Sequence, residues 1–270
     1  MANTATSVVQ QRNSDMVELL KPDFMTRQEL TYTATLSEYQ TLPCLRFLGA
    51  GGLGSAGEWR DLSGNGMHLT YNGNPVMSYT TQGAPYFYYD GVGDYHAHAD
   101  DAHFDITGTE TVVAAAVRGL TCGAWVYFQN GTGSSEWILS KYLTTGNQRS
   151  YALRRAAAGV LQAYVTTDGS TLVNVVSVGT LAQAVWYFVA MRFVPSTTLD
   201  NWLNDTKATL AAGVPASIYS GTAVFEVNGI NAGGAELMTG RVAFPFACAC
   251  ALSDTQITRL YNRSRGLFGV

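Results

Sequence analysis

From about residue 59 onward, short strand-like runs alternate with turn signals at intervals of roughly eight to fifteen residues. Runs such as YFYYDG, LTCGAWVYF and WYFVAMRFV are separated by turn sequences such as DLSGNG, NGTGSS and TDGS. No apolar pattern of helical period interrupts them. Short, regularly spaced strands are typical of a β-sandwich or jelly roll, and the 28 glycines suit its many turns. The sequence therefore predicts an all-β sandwich.

One helix is well marked at the C-terminal end of the chain. Ser253 is a suitable N-cap, and Gln256 three residues later completes a capping-box pattern. A narrow apolar stripe follows at helical spacing, formed by Ile257, Leu260 and Tyr261. We expect the helix to be closed by Gly266 and to cover one sheet edge.

The first 45 residues differ from the rest because they contain little glycine. They predict two short helical pieces, one from Ser14 to before Pro22 and one through TRQELTYTATLSEY that stops before Pro43. We therefore divide the chain into an N-terminal arm, residues 1–45, and a β domain, residues 46–270. Two interpretations of the arm stay open. It folds on its own β domain, or it docks on neighbouring subunits.

The composition limits the classes of partner. The net charge is −4 with no basic block, and phosphate binding needs clustered Lys and Arg, so we expect no nucleic-acid partner. No apolar run is long enough to span a bilayer, and the first residues do not have the pattern of a signal peptide. Four cysteines lack any C-x-x-C pair and are expected to be buried free thiols: Cys44, Cys122, Cys248 and Cys250.

The stretch DYHAHADDAHFD, residues 94–105, holds three of the four histidines. In a strand, His96 and His98 lie on one face with Asp94 and Asp100, at a spacing that a divalent ion could bridge. The opposite face, with Tyr95 and two alanines, is the natural core face. We therefore predict that the His/Asp face points to solvent. A metal site and a pH-sensitive partner contact that includes His103 are the alternatives.

The order of these elements resembles that of the laminin-G-like, concanavalin-A-like jelly roll. EWRDLSGNGMHLT is similar to the family's opening Asp-x-Ser-Gly-x-Gly turn, and YFYYDGVGDYHA to its Phe-x-Gly-x-Gly-Asp-Tyr strand pair. LTCGAWVYF resembles the strand with an inward Trp, and LSDTQITRLYN the closing helix. The resemblance covers roughly residues 58–265. It implies that Trp125 and Trp186 belong to the sandwich core.

Members of this family mostly bind sugars, glycoconjugates or proteins, and some are glycoside hydrolases. The hydrolases of the laminarinase type carry Glu-x-Asp-x-(x)-Glu on one strand, and that string is absent here. We therefore expect a non-enzymatic protein. The resemblance also implies a possible Ca²⁺ ion on the rim loops. Candidate ligands are Asp168, Asn174, Asp200, Asn201, Asn204 and Asp205.

Aromatic side chains near turns are the second candidate for a binding site, because sugars stack on Trp and Tyr faces. The candidates are Trp59, Trp137, Trp202 and Tyr142, with Tyr71 in a similar position. The alternative for each is simple packing under a loop. Both interpretations stay open at this point.

Together these features favour a structural or binding protein over an enzyme. The first hypothesis is a bacteriophage virion protein, of the decoration, cement or head/tail accessory class, made in the host cytoplasm. Residues 1–45 would then contact other virion proteins or further copies in a homo-oligomer. The alternative is a lectin-like adhesion module that binds cell-surface glycans.

Overall fold

A computed structural model describes residues 27–50, 57–111, 113–131, 133–233 and 235–270. Within these residues the chain forms two antiparallel sheets and two α-helices. The eight-stranded sheet contains, in spatial order, β13 (Thr206–Leu210), β12 (Thr198–Leu203), β11 (Trp186–Val194), β6 (Leu120–Phe128), β15 (Thr239–Cys248), β4 (Pro85–Asp90) and β3 (Val76–Tyr79), with β1 (Leu45–Leu48) also paired to β15. The seven-stranded sheet contains β10 (Leu172–Thr180), β9 (Val160–Thr166), β8 (Gln148–Arg155), β7 (Glu136–Leu143), β14 (Phe225–Val227), β5 (Tyr95–His98) and β2 (Thr70–Asn72). The predicted β-sandwich is confirmed.

The main core lies between the two sheets and follows the two-residue alternation of the strands. In β6 the even-numbered side chains from Leu120 to Phe128 point into it, and in β11 Val189 and Met191 do the same. The turn between β4 and β5 has positive φ at Gly91 and Gly93. It connects the two sheets rather than two paired strands, because β4 belongs to the eight-stranded sheet and β5 to the seven-stranded sheet. This connection places His96 opposite Tyr89 across the core.

The two helices form a third layer on the outer face of the eight-stranded sheet. They are α1 (Arg27–Gln40) and α2 (Asp254–Ser264). Trp125 donates a hydrogen bond from Nε1 to Ser264 Oγ at 2.8 Å, and its ring stacks on Tyr261. The prediction that the C-terminal helix covers a sheet edge is therefore wrong, because it covers a face.

Two tryptophans lie under this helix layer instead of at their predicted positions between the sheets. Trp125 and Trp186 are buried, but under α2 and the C-terminal residues rather than between the sheets. The reason is strand parity. The even-numbered residues of β6 fill the space between the sheets, so Trp125 points outward.

Helix α2 begins as predicted, with a full capping box between Ser253 and Gln256. Its end differs from the prediction. The helix passes into a 3-10 turn over Arg265–Leu267, and the left-handed residue that follows is Gly269 rather than Gly266.

The second predicted piece of the arm is confirmed as α1, whereas the first, after Ser14, lies outside the described residues. Helix α1 packs on α2. Thr35 donates a hydrogen bond to the Arg263 carbonyl, and Glu38 forms an ion pair with Arg259 at 2.8 Å. Docking of residues 1–45 on other subunits stays a prediction. Among the described helices, none is long and apolar enough to cross a membrane.

Candidate functional site

The first half of the His/Asp stretch turns its polar face inward, so the prediction that this face is solvated is wrong for Asp94 and His96. His96 is fully buried (0% exposed). Its Nε2 lies 2.6 Å from the Gly57 carbonyl and must donate to it, so Nδ1 accepts from the Tyr89 hydroxyl at 2.9 Å. Burial lowers the pKa of His96 to about 4. A neutral imidazole with two partners can therefore occupy the core.

The second half of the stretch forms ion pairs instead of a metal centre. The ammonium of Lys141 is buried and contacts Asp100 at 2.5 Å and Asp105 at 3.1 Å. His103 pairs with Asp101 through Nδ1 at 2.7 Å. Within the described ranges, no three His, Cys, Asp or Glu side chains are grouped to hold a metal ion.

Two of the six candidate calcium ligands already accept hydrogen bonds from other groups of the chain. Asp168 accepts hydrogen bonds from the amides of Ser170 and Thr171 in its own turn. Asp200 is buried and accepts from Arg192 and from Thr209. Both carboxylates are therefore used within the chain, and calcium binding by these residues stays a prediction.

All four candidate aromatic residues are at most 7% exposed, so none of them has the open ring face that stacking on a sugar requires. Trp59 is 0% exposed and lies in the main core, where its Nε1 donates to the Tyr89 hydroxyl at 3.1 Å. Trp202 is 1% exposed on the outer face of the eight-stranded sheet, beside Arg192 and Lys207. For these two residues the structure corresponds to the packing alternative.

The other two candidates lie together on the outer face of the seven-stranded sheet. The ring centroids of Trp137 and Tyr142 are 4.9 Å apart, and Tyr164 of β9 lies 6.1 Å from Trp137. Sequence alone marks both β7 residues but does not show that they meet. A register shift between Trp137 and Leu139 places one extra residue in β7 relative to β8, and this brings Trp137 and Tyr142 to the same face.

Two arginines of β8 stack on these rings. The guanidinium carbon of Arg154 lies 5.0 Å from the ring centroids of both Trp137 and Tyr164, and that of Arg149 lies 5.6 Å from Tyr142. Such cation–π contacts hold a guanidinium in a fixed orientation. The sequence did not mark either arginine, although pairing of RSYALRR with EWILSKY could have placed Arg154 next to Trp137 and Arg149 next to Tyr142.

Polar groups from β9 and from the segment between β14 and β15 complete the cluster. Gln162 accepts hydrogen bonds from Arg154 Nε at 3.1 Å and from the Tyr164 hydroxyl at 2.5 Å. Glu236 accepts from Trp137 Nε1 and lies 3.5 Å from Arg154. We call this group the Trp137 cluster: Trp137, Tyr142, Arg149, Arg154, Gln162, Tyr164 and Glu236.

A buried glutamate lies at the base of the segment that carries Glu236. Glu226 is 0% exposed and shares the outer face of the sheet with Ser140, to which it is paired in register. One of its oxygens accepts from the Gly233 amide at 2.5 Å, and the other has no hydrogen-bond partner among the described residues. Burial raises the pKa of Glu226 to about 7.

Comparison by sequence finds no matching family model and no matching curated protein. Comparison of structures finds toxin binding domains. The binding domain of paraclostridial mosquitocidal protein 1 superposes with a TM-score of 0.62 at 11% identity, over 81% of this chain and 52% of that one. The binding domain of botulinum neurotoxin DC, solved with rat synaptotagmin II, gives 0.61 at 10% identity, over 81% and 51%.

A third similar structure belongs to botulinum neurotoxin type C, whose cell entry depends on interaction with two ganglioside molecules. It gives a TM-score of 0.62 at 10% identity, over 81% of this chain and 51% of that chain. This chain therefore spans about half the length of the structures that it matches. At these identities the likeness establishes the β-sandwich fold.

Proposed function

We propose that this chain is a non-enzymatic binding module that recognises a carbohydrate through the Trp137 cluster. The observation that carries the proposal is the position of Arg154, held between the rings of Trp137 and Tyr164 at 5.0 Å from each. Aromatic rings combined with a few fixed polar groups are the usual composition of a small-molecule site.

The cluster favours recognition by polar edges over stacking on an open ring. Trp137 and Tyr142 are 3% and 7% exposed, so their faces are mostly covered, whereas the carboxylate-bearing side chain of Glu236 is 41% exposed. Sugar hydroxyls donate and accept hydrogen bonds, and this surface offers guanidinium donors beside a carboxylate and an amide. Because stacking fixes the guanidinium groups beforehand, binding loses little side-chain entropy.

The acidic residues of this face support a binding role rather than hydrolysis. A glycoside hydrolase needs two carboxylates that face the scissile bond. Glu236 reaches the surface, but Glu226 is enclosed beneath the segment that contains Gly233. A carboxyl group without access to the substrate cannot act as the acid or the base.

The structural comparisons support the proposal in one respect. The similar structures are binding domains, and some are described with a receptor protein, with SialylT or with gangliosides. Those ligands belong to those proteins. What transfers to this chain as a proposal is a binding role for the same sandwich architecture, with cell-surface glycans as the class of partner.

A second candidate is the virion accessory role, in which an assembly displays the module. Exposed apolar side chains on the edge strand β3 support it, because Val76 and Tyr79 are 52% and 56% exposed. Edge strands with such side chains pair readily with another chain. A homo-oligomer observed by light scattering, and lost in Val76→Lys, would support this role.

A glycan array tests the carbohydrate proposal. The full-length chain should bind a defined set of glycans, and Arg154→Gln should weaken that binding by about tenfold or more, because two or more charged hydrogen bonds are lost. Arg60→Gln, at an exposed arginine that is not part of the Trp137 cluster, is the matched control and should leave binding unchanged. An array without any binding above background would reject the proposal.

A further inference from the structure

A second row of aromatic and charged side chains crosses the outer face of the eight-stranded sheet. Strand register aligns Val76 of β3 with Tyr88 of β4, Tyr88 with Arg241 of β15, Arg241 with Tyr127 of β6, and Tyr127 with Trp186 of β11. We call these five residues the Arg241 strip. They lie on the opposite sheet from the Trp137 cluster and share no residue with it.

Arg241, at the centre of the strip, stacks on aromatic rings. Its guanidinium carbon lies 4.4 Å from the Tyr127 centroid and 5.1 Å from that of Tyr86. Its Nε is buried and has no hydrogen-bond partner. None of the ion pairs among the described residues includes Arg241, whereas Arg154, with Glu236 3.5 Å away, has a carboxylate partner.

An unpaired buried donor is costly to keep, and so is a cation without a counter-ion. Both costs are removed when a ligand brings a carboxylate, because the planar guanidinium donates two parallel hydrogen bonds to it. Arg241 is therefore a candidate anchor for an anionic group of a ligand.

The flanking rings indicate the rest of the ligand. Tyr88 and Tyr127 are half-buried on either side of Arg241, and two strand spacings of roughly 4.8 Å separate them. At one end, Trp186 is fixed by Phe268, with their ring centroids 4.8 Å apart. Half-buried tyrosine side chains beside a guanidinium suit a sugar ring, whose C–H groups pack on aromatic rings.

We propose that the Arg241 strip is a second ligand site, which binds a carboxylate-bearing sugar such as a uronic acid residue. This inference goes beyond the proposed function, since it uses the other sheet and a different polar anchor. An acidic peptide would offer the same carboxylate without the apolar ring face. The sugar is favoured because tyrosine rings occupy both sides of the cation.

An NMR titration of the full-length chain tests the site. The probes are a disaccharide that ends in glucuronic acid, its methyl ester, and a short peptide rich in glutamate. The acid should move the Arg241 Nε–H resonance in a saturable way. The methyl ester should bind at least about tenfold more weakly than the acid, because it carries no charge. Equal affinity for acid and ester would overturn the proposal, and so would peptide binding as tight as that of the acid.

Variants separate this site from the first one. Arg241→Gln should abolish the response, and Arg241→Lys should weaken it, because lysine keeps the charge but cannot form the paired hydrogen bonds. Arg60→Gln is the matched control. The Trp137 indole N–H reports on the first site in the same spectra. If the Trp137 resonance moves and the Arg241 resonance does not, the second site is rejected and the proposed function stands. If the Arg241 resonance moves and the Trp137 resonance does not, the second site stands and the proposed function is rejected.

Discussion

The Tyr89 hydroxyl donates a hydrogen bond to Nδ1 of His96 at 2.9 Å, in the centre of the sandwich. Trp59 donates to the same hydroxyl, and His96 donates onward to the Gly57 carbonyl. This chain of hydrogen bonds satisfies every polar group that the three side chains bring into the core. It also fixes the imidazole in the neutral form.

The neutral imidazole predicts a loss of stability in acid. The pKa of His96 is lowered by burial to about 4, against about 6.5 in the unfolded chain, so protons bind the unfolded state first. The contribution of His96 to the free energy of unfolding is therefore present above pH 6.5 and is lost as the pH falls from 6.5 to 4, by up to about 3 kcal/mol.

Urea unfolding at pH 7 and pH 5 measures this change in the free energy of unfolding. His96→Gln should show a smaller pH dependence than the wild type. A His96→Gln variant with the wild-type pH dependence would contradict the assignment.

The buried carboxyl group of Glu226 should give the opposite dependence of stability on pH. Its pKa is raised by burial to about 7, against about 4.3 in the unfolded chain, so stability is highest below about pH 4 and falls as the pH rises to 7. Glu226→Gln removes the buried charge but can still accept from the Gly233 amide. Relative to the wild type it should gain up to about 3 kcal/mol between pH 5 and pH 8. Thermal unfolding at both pH values is the measurement. A constant difference between Glu226→Gln and wild type would show that this carboxyl does not titrate there.

The sequence predicts which residues of a strand share a face, but not always which face is inside. For β5 the parity of His96 and His98 is as expected, yet the inward side is the polar one, because Tyr89 and Gly57 supply partners from distant segments. For Trp125 the same ambiguity arises. Its burial is predictable from the apolar strand, whereas the covering helix α2 is far away in the sequence.

Only part of the Trp137 cluster is predictable from the sequence, because some of its members come from distant segments of the chain. Trp137 and Tyr142 stand out as aromatic residues near turns. The arginines that cover them come from the register between neighbouring strands, and Glu236 approaches Trp137 from 99 positions along the chain. Contacts of that separation depend on the tertiary fold rather than on any local pattern.

The ion pair of Arg155 and Glu136 predicts a large stability effect. Both side chains are buried, and Arg155 also donates to the carbonyls of Asn130 and Gly131. Arg155→Leu leaves the Glu136 carboxylate buried without its partner and should lower the free energy of unfolding by about 3–5 kcal/mol. The double variant Glu136→Leu/Arg155→Leu should recover most of this loss in urea unfolding. If the double variant were as unstable as the sum of the two single variants, the pair would not be coupled.

The hydrogen bond between the helix layer and the eight-stranded sheet should contribute less to the free energy of unfolding than the buried ion pair does. Ser264→Ala removes the acceptor of the Trp125 indole N–H and leaves that donor buried. The expected loss in the free energy of unfolding is about 1–3 kcal/mol. Ser253→Ala, which removes the N-cap of the same helix, should cost about 1 kcal/mol and serves as the comparison. A Ser264→Ala variant as stable as the wild type would show that water or another group satisfies Trp125.

The most direct test of carbohydrate recognition is the response of the Trp137 indole N–H to a glycan selected on the array. This N–H donates to Glu236, which is the exposed carboxylate of the cluster, so a bound sugar must change its surroundings. NMR titration of the full-length chain should give a saturable shift of the Trp137 resonance, while the resonance of Trp125, buried under α2, stays unchanged. Saturable glycan binding that leaves the Trp137 resonance unmoved would contradict the assignment of the site.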